Sequence, residues 1–316
     1  MAFINRVCDK VFVINMDKDK ERLKAFDKYM SSNSITYERL PAIDGSQINN
    51  DSRLTDFCNT FCTNGIKGCA LSHRTIWEKM VENNYKNALI FEDDAIIDDK
   101  FDSKFQHIWN YLPKDYDIIY FGCIFGCTDD SKVNEVFKKV VSGPTEKVNE
   151  FVHTTKGAAG THCYMISLEG AKKFLDKKIN YHIDVQIISW INEYKYNAYT
   201  SYINLAETSQ DNSSLGDKYP LLLNSILRNI TLNNLKEPAT LDWWISSPVI
   251  KIGNYNLSVL LIILMIIVSF LPPNYYFIIF SWLLAELIAS KDLENTFRYI
   301  GFLSIPILIK FSFTYK

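Results

Sequence analysis

Three consecutive acids, Glu92, Asp93 and Asp94, are the residues of this chain with the clearest potential for chemistry. They directly follow the apolar run 88–91 and precede the apolar residues 95–97. Like charges held at the end of a buried strand resist ionisation unless a cation compensates them. Carboxylates two positions apart leave a strand on one side, and their oxygens suit Mn²⁺ or Mg²⁺, which completes its shell with substrate phosphates. A solvated acidic turn is the alternative, but the flanking apolar segments favour a metal site.

Strands that alternate with helices are predicted to position these acids. Apolar runs predict strands near residues 11–14, 88–91, 117–122 and 162–166, and apolar spacing predicts helices near residues 20–30, 69–80 and 168–175. This succession predicts an α/β layered sheet, in which ligands bind at the carboxyl ends of the strands. The acidic triplet falls at such an end. Residues 128–156 are polar and predict a long loop over the same crevice.

Composition excludes one class of function and divides the chain into two parts. The 316 residues carry 34 Lys and Arg against 36 Asp and Glu, a net charge of −2, so nucleic acid is not an expected partner. Nearly all charge lies before residue 251, which predicts a folded head over residues 1–235 and a membrane-associated tail over residues 236–316. The candidate spans are the apolar runs 255–271, 273–289 and 299–313. Core helices of a second globular domain are the alternative.

The expected location is a membrane, with the head in the cytosol. The N-terminus lacks the pattern of a signal peptide, and Lys291 and Arg298 follow the second apolar run. The seven cysteines lack the dense spacing of a secreted scaffold. We therefore expect them to be reduced and buried, rather than paired in disulfides or bound to zinc.

Five blocks of the sequence together resemble glycosyltransferase family 25, which includes bacterial lipooligosaccharide and collagen galactosyltransferases. In order they read VFVINMDKDKERLKAF, RLPAIDG, GIKGCALSHRTIWEKM, NALIFEDDAII and GTHCYMISLEGAKKFL. The resemblance implies a GT-A-like fold that binds a nucleotide sugar. It also implies Mn²⁺- or Mg²⁺-assisted, inverting transfer of galactose or glucose from a UDP-sugar to a glycan, lipid-linked or protein acceptor. A non-catalytic glycan-binding membrane protein on the same fold is the alternative.

The resemblance gives roles to the acidic triplet and to the first strand and helix. Glu92 matches the acid that faces the ribose, and Asp94 matches the principal metal ligand, with Glu92 as a second ligand. Asn15, Arg22 and Asp93 fall where the family contacts the nucleotide. A strand-ending asparagine and a solvated helix arginine are the alternatives for the first two.

Other candidate site residues come from later and earlier motifs. Asp184 is the candidate base that takes the proton of the acceptor hydroxyl, with a helix N-cap as the alternative. His182 is a candidate third metal ligand, and Glu207 is a reserve base. His73 is either a satisfied core histidine or a site residue. Residues 65–68, two glycines around an isoleucine and a lysine, could form a phosphate-binding loop or a tight turn.

Overall fold

The computed structural model describes residues 1–127, 130–208 and 219–314. The chain divides into two compact units, one formed by residues 1–213 with 232–238 and the other by residues 214–231 with 239–316. Near the expected division at residue 235, residues 214–231 therefore belong to the second unit and residues 232–238 to the first.

The first unit contains eight α-helices and nine strands within its described residues, with a short 3-10 helix (Gly45–Gln47) and a π-helix (Lys138–Ser142). The helices are α1 (Ile4–Val7), α2 (Lys20–Ser32), α3 (Asp56–Phe61), α4 (Asn64–Glu82), α5 (Phe101–Trp109), α6 (Lys132–Phe137), α7 (Leu168–Leu175) and α8 (Ile183–Tyr194). The strands are β1 (Lys10–Asn15), β2 (Glu38–Pro41), β3 (Asn87–Glu92), β4 (Ala95–Ile97), β5 (Ile118–Gly122), β6 (Val152–Thr154), β7 (Cys163–Ser167), β8 (Ala198–Ser201) and β9 (Ala206–Thr208).

Seven strands form one mixed sheet in the order β2-β1-β3-β7-β5-β8-β6, and β4 pairs separately with β9. β1 runs parallel to β2 and β3, and β5 runs parallel to β8. β7 is antiparallel to both β3 and β5. The α/β layered sheet is therefore present, but it is not wholly parallel. The chain leaves β5 and enters β7 at the same end of these neighbouring strands, where Gly122 pairs with Cys163, so β7 runs antiparallel to β5. Between them, β6 pairs with β8 at the border of the sheet.

The core lies in two layers, one on each face of this sheet. Phe12 and Ile14 of β1 pack into the layer that contains α4, whereas Val11 and Val13 pack with Phe26 of α2 in the opposite layer. Successive side chains of a strand point to opposite faces. Because both faces are covered, the central strands read as continuous apolar runs, which is how the sequence predicts them.

Residues 65–68 lie within α4 and do not form a loop before it. A Cβ atom on Gly68 would stand 2.5 Å from the carbonyl oxygen of Ile43, so glycine is needed for the two backbones to pack. The buried amine of Lys67 donates to the carbonyl oxygen of Asn59 at 2.6 Å. Close packing therefore explains Gly68 and a hydrogen bond explains the buried Lys67, while the phosphate-binding role stays a prediction.

Four cysteines are paired, which differs from the expected reduced state. Disulfides join Cys58 to Cys62 and Cys123 to Cys127. A separation of four residues brings the Cα atoms of these pairs to 4.6 Å and 6.2 Å, within the range of a disulfide. The three free cysteines within the described residues are Cys8, Cys69 and Cys163.

The second unit is mainly helical. Its described elements are α9 (Leu221–Leu227), α10 (Leu241–Ser246), β10 (Pro248–Ile252), β11 (Tyr255–Ser258), α11 (Val259–Phe270), α12 (Tyr276–Ser290) and α13 (Leu293–Thr314). β10 and β11 form an antiparallel pair. The first expected span thus begins as a strand, because residues 255–258 pair with β10.

Helix length limits which apolar runs could cross a membrane. α11 has 12 residues and α12 has 15. At 1.5 Å per residue they reach about 18 and 22 Å, short of the roughly 30 Å hydrocarbon core of a bilayer. Among the described residues only α13 contains a stretch, Leu293–Phe313, that is long and apolar enough to span. This one helix supports a membrane tail by length and composition alone.

The single acid of the second apolar run, Glu286 on α12, is fully buried within its unit. Its carboxylate accepts hydrogen bonds from the backbone N–H groups of Leu222 and Leu223 at 2.8 and 3.1 Å. The indole N–H of Trp282 is a third donor, at 3.0 Å. The carboxylate therefore satisfies the first backbone donors of α9, which have no partner inside that helix.

We expect Gly68→Ala to lower the free energy of unfolding by about 2 kcal/mol, because the added methyl group overpacks a backbone contact that cannot yield. Chemical denaturation followed by circular dichroism measures the change. Glu82→Ala, at the exposed end of the same helix, serves as the control and should change stability by less than about 0.5 kcal/mol. Equal stability of Gly68→Ala and the parent chain would contradict the packing role.

Candidate active site

The acidic triplet lies where β1 and β3 end and β7 begins. Glu92 is the last residue of β3, and Asp93 and Asp94 form the turn into β4. The N–H of Glu92 donates to the carbonyl oxygen of His162, and the N–H of Asp93 donates to that of Ile14, both at 3.1 Å. Two backbone hydrogen bonds therefore fix the turn at the carboxyl ends of the parallel strands.

Two of the predicted nucleotide-site residues, Asn15 and Arg22, both contact a third, Asp93. Asn15 ends β1, and its Nδ2 donates to Oδ2 of Asp93 at 2.6 Å. Arg22, on the first turn of α2, places Nη2 2.5 Å from Oδ1 of Asp93 and 3.2 Å from Oδ2 of Asp94. Both oxygens of Asp93 are thus occupied by side chains of the chain itself. Asp93 organises the turn and has little capacity left for a ligand.

Arg39 on β2 is a site residue that the sequence interpretation missed. Its Nε donates to Oδ1 of Asn15 at 2.8 Å, and its Nη2 donates to the carbonyl oxygen of Asn15 at 3.1 Å. The same Nη2 is 2.6 Å from Oδ1 of Asp17. Arg39 therefore fixes the Asn15 amide in the orientation that presents its N–H to Asp93. Its place in the block RLPAIDG was the available signal.

Asp94 carries the least compensated charge of the triplet. Its side chain is 17% exposed, and its Oδ1 is buried without a hydrogen-bond partner. Burial, followed by the negative charge of Glu92, raises the pKa of Asp94 to about 7, although Arg22 acts in the opposite direction. An orphaned carboxylate oxygen beside two further acids fits an oxygen-coordinated divalent cation.

Glu92 is held in an ionised state by donors from two other elements. Thr161 Oγ1 donates to Oε1 of Glu92 at 2.6 Å. Nε2 of His73 lies 3.3 Å from the same oxygen, an ion-pair distance rather than a well-aligned hydrogen bond. Burial alone would raise the pKa of Glu92, but His73 and Thr161 outweigh it and lower that pKa to about 2. His73 therefore contacts the acidic triplet from the buried face of α4, and its role in the site stays a prediction.

His162 is a second residue that the sequence interpretation did not select, although it lies in the block that begins at Gly160. It is 3% exposed, and its Nε2 donates to the carbonyl oxygen of Ala206 at 3.2 Å. The other ring nitrogen, Nδ1, is buried without a partner. Burial lowers the pKa of His162. A neutral imidazole with an unprotonated Nδ1 thus borders the triplet.

Asp184 reaches the same site from α8. Its Oδ2 accepts from the N–H of Gly160 at 3.3 Å, and its Oδ1 accepts from the N–H of Val185 at 2.7 Å. The residue at the N-cap position is His182, so the predicted alternative that Asp184 is the cap is wrong. Asp184 is the second residue of α8.

The negative charges of three carboxylates act on the Cys69 thiol. Burial comes first among the causes that raise its pKa well above the usual value, followed by the charges of Glu92, Asp184 and Asp94. His182, in contrast, packs its ring on Tyr181 at 5.0 Å between centroids. Within the described residues no contact joins His182 to the triplet, so its role as a metal ligand stays a prediction.

Glu207, the reserve base, has its carboxylate turned to another segment. Its two oxygens accept from the backbone N–H groups of Lys236 and Glu237 at 3.4 and 2.8 Å. Both oxygens of Asp184 accept backbone N–H groups as well, so the choice between the two candidate bases stays a prediction.

Comparison with known proteins identifies the family. The model of glycosyltransferase family 25, described as an LPS biosynthesis protein, matches residues 8–188. A glycosyltransferase 25 family member of Aedes aegypti is 29% identical over 211 residues, which cover 58% of this chain and 33% of the relative. Procollagen galactosyltransferase 1-A of Xenopus laevis is 28% identical over 182 residues, which cover 53% of this chain and 28% of the relative. The chain thus spans about a third or less of the length of these relatives.

One solved structure with some likeness is a glycosyltransferase involved in glycosylation of the major capsid protein of PBCV-1. It is 10% identical, covers 58% of this chain and 66% of its own, and gives a TM-score of 0.25, too low to bear on the fold. The sequence match carries the assignment. Because the family model covers more than half of the residues, the chain belongs to glycosyltransferase family 25.

Proposed function

We propose that the protein is a metal-dependent, inverting glycosyltransferase that moves galactose or glucose from a UDP-sugar to a glycan, lipid-linked or protein acceptor. Family membership supports the reaction class. The observation that carries the metal dependence is the buried, unpartnered Oδ1 of Asp94 in a turn of three acids. A carboxylate oxygen left in this state costs free energy, and a cation at that position would compensate it.

The proposed division of labour follows from which oxygens are already occupied. Asp94 would be the principal ligand of Mn²⁺ or Mg²⁺ through its Oδ1, and such a cation would stabilise the negative charge of the departing diphosphate. Glu92 would add its negative charge beside the cation while its free oxygen faces the ribose. Asn15 and Arg22 hold Asp93, and through it the turn, while Arg22 adds positive charge beside the phosphates. The preorganised charges need no rearrangement as the leaving group separates.

Asp184 is proposed to take the proton of the attacking acceptor hydroxyl. The N–H of Gly160 orients its Oδ2. An inverting displacement requires the base on the face of the sugar opposite the diphosphate. Asp184 comes from α8, whereas the acids that hold the diphosphate come from the end of β3, so the two functions reach the sugar from different elements.

Anchoring by α13 is the proposed means of keeping the enzyme near a membrane-borne acceptor. The apolar stretch Leu293–Phe313 is long enough for one crossing. The cytosolic head stays a prediction, because the two disulfides of the first unit are more typical of an oxidising compartment. The name of the Xenopus laevis relative indicates procollagen as that protein's substrate, but the tail of this chain makes a lipid-linked glycan a further candidate acceptor.

The decisive experiment incubates the purified full chain with a panel of UDP-sugars, in the presence of Mn²⁺, Mg²⁺ or EDTA. We expect cation-dependent release of UDP from UDP-galactose or UDP-glucose, accelerated by an acceptor. Binding of UDP-sugar without any turnover would favour the non-catalytic glycan-binding alternative. The anomeric configuration of the product, measured by NMR, tests inversion.

Asp94→Asn should reduce sugar transfer by at least about 100-fold, because it removes the charge that the cation requires. Isothermal titration should also show loss of Mn²⁺ binding. The control is Asp99→Asn, an exposed position five residues along the chain, which should retain both properties. Full activity of Asp94→Asn would refute the ligand role.

The same substitution should stabilise the cation-free chain at high pH. With its pKa near 7, folded Asp94 keeps a proton that the unfolded chain loses above about pH 4, so its contribution to stability falls as pH rises from about 4 to about 7. In EDTA, Asp94→Asn should therefore gain about 2 kcal/mol of unfolding free energy at pH 8 and nothing at pH 4.

Asp98→Asn is the control of opposite sign. Although burial opposes the change, hydrogen bonds from Lys104 and the Lys100 N–H lower the pKa of Asp98, so its replacement should destabilise the chain at pH 8. Urea denaturation at the two pH values measures both variants. A destabilised Asp94→Asn at pH 8 would show that the Asp94 charge is compensated without a cation.

Asp184→Asn should lower kcat by about 10³-fold while KM for the UDP-sugar stays within a few-fold, because the donor does not need the base to bind. Glu193→Gln, near the opposite end of α8, is the matched control and should behave as the parent. A loss of donor affinity in Asp184→Asn, without a loss in kcat, would place this residue in donor binding instead.

A further inference from the structure

A line of polar side chains crosses the otherwise apolar layer between α4 and the sheet. Trp77 Nε1 donates to the hydroxyl oxygen of Tyr164 at 3.0 Å, and that hydroxyl lies 2.9 Å from Nδ1 of His73. Nε2 of His73 then faces Oε1 of Glu92 at 3.3 Å. Trp77, Tyr164 and His73 are all completely buried. Buried polar groups are costly unless every member is satisfied, so a specific line of this kind needs a reason.

The chemistry of the donors gives the line a direction. An indole can only donate, so the Tyr164 oxygen is the acceptor for Trp77. Among the described residues, Nδ1 of His73 is the one acceptor at hydrogen-bond distance from the Tyr164 hydroxyl, and we assign it the Tyr164 proton. A neutral imidazole that accepts at Nδ1 carries its proton on Nε2. Nε2 is the ring nitrogen on the side of Glu92, 3.3 Å from its Oε1.

At the end of the line, the two oxygens of Glu92 have different roles. Every hydrogen bond or ion pair that the described residues make to this side chain falls on Oε1, from Thr161 and His73. The side chain is 26% exposed, so Oε2 is left accessible as an acceptor. The Thr161 hydrogen bond and the His73 contact both fall on Oε1, so they restrain the rotation of the carboxylate and leave Oε2 free of both.

We propose that Trp77, Tyr164 and His73 form a positioning relay that holds Glu92 so that Oε2 receives a hydroxyl group of the bound donor nucleotide. His73 is a positioning residue, since it acts through Glu92 and does not itself reach the ligand. This inference rests on the proposed function for the nature of the ligand, but the relay itself can be tested without any ligand.

A competing use of the same residues is a metal centre formed by Cys69, His73 and Glu92, whose ligand atoms lie within 4.8 Å of one another. A metal would need the lone pair of Nε2, whereas the relay places a proton there. The tautomer of His73 therefore separates the two possibilities.

The first test is ¹⁵N NMR of the full chain labelled at histidine, with the His73 signals assigned by their loss in His73→Gln. The relay requires a neutral ring protonated at Nε2, and Tyr164→Phe should shift the Nδ1 resonance. A His73 ring protonated at Nδ1, or unprotonated at Nε2, would overturn the proposal whether or not the chain is a glycosyltransferase.

The second test measures UDP-galactose and UDP-glucose binding by calorimetry in His73→Phe, His73→Gln and Tyr164→Phe. Glutamine can place an N–H close to the position of Nε2, whereas phenylalanine keeps the ring without a donor. We expect about tenfold weaker binding for His73→Phe, near-parental binding for His73→Gln, and about threefold weaker binding for Tyr164→Phe.

Ser72→Ala is the control for loss of a buried polar group, because Ser72 is the neighbouring buried residue of α4 and bonds only to backbone atoms of Ile43 and Gly68. It should lower the melting temperature and leave binding unchanged. Equal binding by His73→Phe and the parent, or equal loss in His73→Gln and His73→Phe, would refute the relay. Failure of the parent chain to bind either UDP-sugar would instead count against the proposed function, and the tautomer would still decide the relay.

Discussion

The cost of holding three adjacent carboxylates at the end of a buried strand organises this site. Asp93 is compensated by an amide and a guanidinium, and Glu92 by a hydroxyl and an imidazole. Asp94 has only a shared contact with Arg22 and keeps one oxygen unpaired. The chain thus stabilises two of its three charges internally and leaves the third with an unpaired oxygen. Uncompensated charge of this kind is a common mark of a functional position.

Much of the fold follows from local sequence, because the central strands are covered on both faces and read as uninterrupted apolar runs. The helix after Asp19 and the strand before Glu92 lie where their patterns predict them. The direction of β7 was not predictable in the same way. It depends on the end of the strands at which the chain re-enters the sheet after residues 123–162, and the local sequence does not state this. The role of Gly68 was missed for a related reason: its contact with Ile43 comes from another segment.

The candidate site also combines features that local sequence encodes with contacts between distant segments. Glu92, Asp93 and Asp94 are visible as a local motif, and the family resemblance adds Asn15 and Arg22. The relation of Glu92 to Thr161 and His73 joins segments 69 and 19 residues away along the chain, which a local pattern does not encode. Which oxygen of a carboxylate lacks a partner, and which nitrogen of a histidine carries the proton, can be judged only when the neighbours of each atom in the folded chain are known.

Glu286 has a consequence for which segments of the second unit belong together. Leu222 and Leu223 precede this acid by 64 and 63 residues, so the two backbone donors of its carboxylate come from a distant part of the sequence. α12 therefore depends on α9 for the partners of its one buried acid. Moving α12 into another protein without residues 221–227 would leave the carboxylate without these donors, so those residues belong to the smallest segment set that could be transplanted.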